Sequence, residues 1–573
     1  MTIKKYIPPG LEQPYNKNLL MKDLFAGLTL FVMLVPQGMA YAMLAGLPPV
    51  MGLYASTIPL IIYALFASSR HLSVGPTAIT SLLVFSGISS ISEPGSQDYI
   101  TLVILLALMV GTIQCLLGVL RMGFIVKFIS PSVLGGYTSA AAIIIGLSQL
   151  KHLIGIDLGT YFQAHHLLIG IGRELTNLHG MTVLLGVSSI IFIVILKKIN
   201  SRFPAALVLI LLSSLSVYIF SLQEKGVQIV GTVPNGFPSL SLPTVSLESV
   251  KQLIIPAVII ALLGFMESLA IGKTIADKEK YKLNPNRELK ALGLANMLGS
   301  LFQIFPVNGS FSRSAVNHQN GGVTQLVSIF ISLFMIVTLM LFTSYFYYLP
   351  NAVLAAIIIV AVYKLVDIEQ ARFLFNVRSI DGWSWIVTFF VTLFVGIQWG
   401  ILVGAIFNFC LLLARITRPN IIEMGYLEKE QIFRDIKRFP QATTLEDLIM
   451  IRVDSSIHFA NISYLEEKIR EFLYLKPLAN MIVIDFSGVN DMDTPSFEVI
   501  EDLKEQLKKE KGISMYFVGM RGTVRETANK LGWDRKFNEE MNYYTIEKLL
   551  ENKKIRVSTS SDKNNQTPYM YYI

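Results

Sequence analysis

Charge is what this chain has least of. Only 15% of its 573 residues are Asp, Glu, Lys or Arg, where a soluble chain carries about 25%. The deficit lies before residue 420, where apolar runs long enough to cross a bilayer recur. The chain therefore reads as a polytopic membrane protein. Cysteine is nearly absent too. Cys115 and Cys410 both fall in apolar stretches and read as small core residues, which excludes a disulfide framework and a thiolate metal site. The seven histidines show no ligand spacing. His165 and His166 fall in an expected external loop and read as solvated, so neither metal nor cofactor is expected. A Gly-rich P-loop is missing, which removes support for ATP-driven transport. No Ser/His/Asp or Cys/His arrangement points to an enzyme. The first apolar run begins after about 22 residues and leads into "PQGMAYAMLAGLPP". It lacks the short h-region and A-x-A-like site of a cleavable signal peptide.

The charge that is present is distributed in an informative way. A formal net charge of +8 is compatible with nucleic-acid binding, but the basic residues sit mostly in short loops between apolar runs, the positive-inside pattern. Such loops hold Arg70, Arg121 and Lys127, then Lys197, Lys198 and Arg202, then "KTIADKEKYKLNPNRELK" (273–290). Later ones hold Lys364, Arg372 and Arg378, then Arg415 and Arg418. Charge-poor or mixed loops at 92–99 and 226–243 alternate with them. This alternation predicts an even ladder of about fourteen spans with both termini inside.

Weak self-similarity divides the ladder. "HLSVGPTAIT" precedes one apolar run, and "PVNGSFSRSAV" stands about 235 residues later. The first span and "LIIPAVIIALLGFMESLAIG" are separated by about 230 residues. Two halves of seven spans follow, and an odd number per half inverts the second in the membrane. Inverted repeats with interrupted helices in corresponding positions point to a binding site at the midplane. "VGPTAIT" places Gly75, Pro76 and Thr77 at a helix start, with Pro in the first turn. "NGSFSRSAV" places Gly309, Ser310 and Ser312 at another. Helix N-termini present unpaired amides and partial positive charge, which bind anions, and Arg313 adds a full charge beside the second. The alternative is a helix break filled with small residues for close packing.

Two further features lie inside spans. Glu267 sits deep in an apolar run, where a charged carboxylate costs a few kcal/mol (about 2.5–3.5) and calls for a proton or a partner. Such a group suits proton coupling or cation binding, or pairs structurally with a neighbouring helix or with Arg313. Gln37 and Tyr41, four residues apart in "VPQGMAYAML", share a helix face. Their amide and phenol are donors suited to an anion's oxygens, or else packing groups.

After Pro419 the composition turns soluble. "LIMIRVDSSIHF", "NMIVIDFSGV" and "SMYFVG" read as strands. They alternate with helices in "NISYLEEKIREFL", "SFEVIEDLKEQLKKEKG" and "RGTVRETANKLG". This predicts a small α/β domain, followed from about 556 by a polar tail that reads as disordered.

"VPQGMAYAMLAGLPPVMGLYAS", "SSRHLSVGPTA", "ESLAIGK" and "PVNGSFSRSAVN" together resemble the sulfate permease (SulP) family of anion transporters, relatives of prestin and pendrin. The segment 420–555 resembles the STAS domain that such proteins carry. The resemblance implies an all-α membrane domain of fourteen segments in a seven-plus-seven inverted repeat, divided into core and gate. It also implies a homodimer that works by elevator-like movement. It divides the chain into a cytoplasmic N-terminal segment (1–21), a transmembrane anion-transport domain (22–419), the STAS domain (420–555) and the tail (556–573). Carried over residue by residue, the anion site falls on Val74, Gly75, Phe311, Ser312 and Arg313, with Gln37 and Tyr41 from the first segment. Glu267 matches the acidic residue associated with proton coupling. One departure stands out. In "VNDMDTPSFEV", Pro495 occupies the position of the serine phosphorylated in anti-sigma-factor antagonists, which argues against an identical switch.

The function expected is secondary active transport of a small inorganic oxyanion, sulfate first, in symport with protons. The expected setting is the cell (inner) membrane, with the N-terminus and STAS domain cytoplasmic. Lipid, and an unidentified partner of the STAS domain, are the other expected contacts; nucleic acid is not. Sodium-coupled bicarbonate uptake is the alternative, followed by dicarboxylate or chloride transport on the same fold. A nucleobase carrier fits Arg313 less well, and a non-transporting membrane sensor does not require the paired motifs.

Overall fold

The computed structural model describes residues 16–124, 130–156, 163–199 and 204–555. Lys127, Arg202, most of the N-terminal segment and the tail from 556 lie outside the described residues. Two compact units meet in sequence near residue 408.

The first half of the membrane unit runs through α1 (Lys17–Leu44), α2 (Val50–Tyr54), α3 (Ile58–Phe66), β1 (Val74–Gly75), α4 (Ala78–Ile88), α5 (Gln97–Val119), α6 (Pro131–Ile154), α7 (Ala164–Glu174), α8 (Gly180–Ile199) and α9 (Ala205–Ile219). The second half repeats this order in α10 (Leu247–Lys278), α11 (Pro285–Ser300), β2 (Asn308–Gly309), α12 (Phe311–Gln319), α13 (Leu326–Leu341), α14 (Asn351–Val362), α15 (Ile368–Val377), α16 (Ser379–Phe394) and α17 (Ile397–Thr417). Taking α2 with α3 as one span, and α7 and α15 as connecting helices, each half holds seven segments. The first helix of each half carries an internal proline, Pro36 or Pro256, which removes one ladder hydrogen bond and favours a bend.

Helix lengths set the functional geometry. Among the described residues, seven helices are long and apolar enough to cross a membrane. At ~1.5 Å per residue, α4 spans roughly 16 Å and α12 roughly 14 Å, about half of a ~30 Å hydrocarbon layer. Each interrupted segment is completed by extended backbone, and the structure pairs the two: Val74 opposite Gly309, and Gly75 opposite Asn308, antiparallel. Antiparallel pairing of corresponding elements is the signature of an inverted repeat.

Packing separates two bundles. Helices α1–α5 pack with α10–α13, while α6–α9 pack with α14–α16. The bundles touch where α1 meets α9 and α14, and where α4 meets α6. Outward faces such as Leu184, Ile191 and Val194 on α8, and Leu402 and Ile406 on α17, stay exposed, as a surface solvated by lipid requires. Cys410 belongs to such a face rather than to the core; Cys115 is half-buried. His165 and His166 lie on α7, not in a loop, because the segment forms an amphipathic helix. Among the described residues no group of His, Cys, Asp and Glu is placed to hold a metal.

The first bundle is locked by a buried carboxylate that sequence reading passed over. Glu288 on α11 accepts from Tyr63 Oη (2.6 Å), Ser68 N (2.7 Å), Ser68 Oγ (2.6 Å) and Ser69 N (2.8 Å). These bonds tie the turn leading into β1 to the other half of the chain. Glu288→Ala would strand several buried donors, so a loss of at least ~3 kcal/mol is expected. Thermal unfolding of the purified protein checks it; an unchanged midpoint would show the turn to be held elsewhere.

The C-terminal unit is a five-stranded sheet in the order β4 (Ile432–Asp435), β3 (Ile421–Leu427), β5 (Leu448–Val453), β6 (Met481–Asp485), β7 (Ser514–Val518). The last three run parallel, and β3 runs antiparallel to both its neighbours. On one face Ile449, Ile451, Ile484 and Phe517 pack on α18 (Ile462–Leu475) and α19 (Thr494–Lys511). Helix α19 stops at Gly512, which takes the left-handed conformation. The expected strands and helices are present; β3 and β4 are additional. Asp493 caps α19 through Ser496 N and also accepts from Phe459 N (2.8 Å). Partial burial works to raise its carboxyl, but these hydrogen bonds outweigh it and hold the group below the usual range. Pro495 lies in the first turn of α19.

Candidate functional site

Two helix N-termini converge on the β1–β2 pair. Because the strands are antiparallel, α4 and α12 leave the pair in opposite directions, and both positive ends stay at its centre. Ser310 N donates to Ser73 O (2.9 Å), and Ser73 N donates to Ser314 Oγ (2.9 Å), extending the junction on one side. Asn308 Nδ2 donates to Thr80 Oγ1 (2.8 Å), and Gly309 N donates to Ser268 Oγ (2.8 Å). Val307 is held by Asn296, which accepts from its N–H (2.7 Å) and donates to its carbonyl (3.1 Å).

The helix starts differ from the expectation in detail. Thr77 is the N-cap of α4 and accepts from Thr80 N, so the helix begins at Ala78. Pro76 precedes the first turn, because Val74 and Gly75 are drawn into the strand pair. At α12 the N-cap is Ser310, and its side chain makes no capping bond. The first-turn amides of α12 therefore lack the side-chain acceptor that α4 has.

Arg313 occupies that uncapped first turn. It is 1% exposed, with Nη1 donating to Pro76 O at 2.9 Å while Nε and Nη2 have no partner. A cation at the positive end of a helix is the reverse of the favourable placement, and a buried charge demands a counter-charge or hydrogen bonds. Glu267 does not supply either, since Arg313 reaches α4's leading backbone instead. Gly75, at φ +149, would bring a Cβ to 3.2 Å from Nη2, so glycine here keeps the strand close to the guanidinium. The arrangement presents amide donors and two free guanidinium nitrogens, which together suit an anion rich in oxygen acceptors.

Comparison with known proteins shows the family. Residues 20–388 match the sulfate permease family, and residues 439–548 match the STAS domain. Sulfate transporter 4.1, chloroplastic, from Arabidopsis thaliana is 37% identical over 505 residues, which are 85% of this chain and 73% of the relative. The chain belongs to the sulfate permease family.

Another relative, High affinity sulfate transporter 1 from Stylosanthes hamata, is 34% identical, covering 88% of this chain and 80% of its own. Among solved structures, murine Slc26a9, an anion transporter in the inward-facing state, superposes with a TM-score of 0.87 at 24% identity, covering 95% and 94% of the two chains. The transmembrane domain of the cyanobacterial bicarbonate transporter BicA reaches 0.58 at 23% identity, over 69% of this chain and 98% of that one. The fold is thus that of a polytopic membrane transporter family with a C-terminal STAS domain.

Within this sulfate permease fold the expected residues divide. Val74 and Gly75 are buried in β1, and Tyr41 is buried on α1. Gln37 is half-buried, its Oε1 without a partner. Phe311 and Ser312 are exposed, Phe311 at 65%, so they line the open side of the junction. Glu267 lies on α10, next to Ser268, which holds β2. It has neither a hydrogen bond nor an ion pair among the described residues. Sequence reading singled out none of Thr80, Ser268, Asn296 and Asn308; three of them stand inside quoted motifs, but only the fold brings Asn308 to Thr80 and Gly309 to Ser268.

Proposed function

We propose that the protein is a secondary active transporter taking up a small inorganic oxyanion, sulfate, together with protons. Buried Arg313, with two unpartnered guanidinium nitrogens in the uncapped first turn of α12, carries this reading. The anion is bound by Gln37, Tyr41, Val74, Gly75, Phe311, Ser312 and Arg313, between the two helix N-termini. The named plant sulfate transporters support sulfate as the substrate.

Glu267 carries the coupled proton: it is partly exposed, unpaired among the described residues, and adjacent in sequence to the residue that holds β2. The bundle of α1–α5 and α10–α13 carries the site past the second bundle in an elevator-like movement, and the protein works as a homodimer. Residues 22–419 form the transport domain and 420–555 the STAS domain, facing the cytoplasm of a cell whose plasma membrane holds the protein. Uptake of radiolabelled sulfate, bicarbonate, chloride and dicarboxylates into proteoliposomes, with imposed proton or sodium gradients, tests the whole reading. Proton-driven sulfate accumulation is expected. Sodium-driven bicarbonate uptake without sulfate uptake would overturn it.

A further inference from the structure

Helices α15 and α16, in the second bundle, leave a groove of about 450 Å³ between them. Arg372, Phe375 and Asn376, at i, i+3 and i+4 on one face of α15, form one wall. Trp385, Phe389 and Phe390 on α16 form the other. Both walls are held from behind. Gly136 on α6 lies so close to the Trp385 carbonyl that no Cβ fits between them, and Gly135 is equally close to the Gln370 side chain of α15. The Phe375 ring lies over Gly382, where an added Cβ would come to 2.8 Å from it. Neither helix is therefore free to turn.

Two donors in this groove lack acceptors. Trp385 is 5% exposed, and its ring stacks on Phe389 with centroids 4.9 Å apart, yet its indole Nε1 has no hydrogen-bond partner. An indole nitrogen only donates, and a buried donor left without an acceptor asks for one. Arg372 is exposed, is the one charged side chain lining the groove, and makes no ion pair among the described residues. The place of the groove in the bilayer follows from the chain. Helix α15 has ten residues, roughly 15 Å, too short to span, and it is amphipathic. It joins α14 to α16 on the side carrying Lys364, Arg372 and Arg378, which the positive-inside pattern assigns to the cytoplasm. Exposed Phe373 and Phe390 face the same apolar surroundings.

We propose that this groove binds an anionic phospholipid of the cytoplasmic leaflet. The phosphodiester pairs with the Arg372 guanidinium, whose fork fits phosphate oxygens. An ester carbonyl oxygen of the lipid accepts from Trp385 Nε1, and an acyl chain lies along Phe389 and Phe390. A zwitterionic lipid offers the same chains and esters but carries its own cation beside the phosphate, so charge decides between them. An inorganic anion would leave the aromatic walls uncovered. A seated lipid braces α15 against α16, in the bundle that does not carry the β1–β2 junction.

Native mass spectrometry of the purified full-length protein, titrated with dioleoylphosphatidylglycerol or dioleoylphosphatidylcholine, tests this. The parent should hold the first phosphatidylglycerol at least about fivefold more tightly than phosphatidylcholine, the effect of about one cation at an anionic headgroup. Arg372→Gln should remove that preference, whereas Arg378→Gln, outside the groove, should keep it. Trp385→Phe keeps the ring and removes the N–H. It should weaken the binding of both lipids by about threefold or more without lowering the lipid-free unfolding midpoint, because no existing hydrogen bond is lost. Equal affinity of the parent for the two lipids, or a preference that survives Arg372→Gln, overturns the proposal. Dimers that dissociate in Arg372→Gln while phosphatidylglycerol stays bound would assign the groove to a second copy of the chain and overturn it as well.

Discussion

Arg313→Ala should weaken sulfate binding by at least about tenfold, and by as much as about a hundredfold. A hydrogen bond to a charged group contributes about 1.5–3 kcal/mol, and about 1.4 kcal/mol is tenfold in affinity. The structure places the effect at the upper end of that range for two reasons. The guanidinium is buried, so water does not replace it when it is removed. Two of its nitrogens are not engaged by the protein, so their donor capacity is available to a ligand. The alanine variant loses one hydrogen bond within the fold, from Nη1 to Pro76 O, and it also relieves a cation from the positive end of α12. Folding should therefore suffer less than binding. Calorimetric titration of sulfate decides the matter: unchanged affinity would make Arg313 a structural tie between α12 and the segment before α4.

The second large effect concerns coupling. Glu267→Gln should abolish pH-gradient-driven accumulation while leaving sulfate affinity within about threefold. The physical need for a proton is quantitative. Carrying a dianion into a compartment at −100 mV costs about 4.6 kcal/mol, since each charge costs about 2.3 kcal/mol. Each proton carried along removes one such charge, and each unit of pH gradient contributes about 1.4 kcal/mol more. Glutamine keeps the size and the hydrogen-bonding capacity of a protonated glutamic acid but cannot release a proton. The variant should therefore bind the anion and exchange it across the membrane without concentrating it. Accumulation that continues at the parent level under an inward pH gradient would remove Glu267 from the coupling.

Much of the site is legible in the sequence, because an interrupted transmembrane helix leaves a local mark. "VGPTAIT" and "NGSFSRSAV" stand out as polar islands in apolar sequence, and their spacing matches the spacing of the first spans of each half. Arg313 is conspicuous for the same reason: few residues can be charged at that depth without a function. The boundaries of the half-helices are less legible. Pro76 suits a helix start on local grounds, and only the pairing of Val74 with Gly309 moves that start past it. Cys410, which reads as a core residue, is exposed, because an apolar run does not say which of its sides faces lipid.

From sequence alone came the membrane class, the two-half organisation, the helix-start character of the paired motifs and the α/β domain after Pro419. Each depends on residues close together in the chain, through hydropathy, helix-start chemistry or strand and helix periodicity. The tertiary structure alone decided the rest. Asn308 meets Thr80, Glu288 meets Ser68, and Arg313 reaches Pro76 rather than Glu267, each across more than 200 residues. Such partners leave no periodic trace, because a buried donor specifies only that some acceptor must exist, and the packing of helices decides which acceptor arrives.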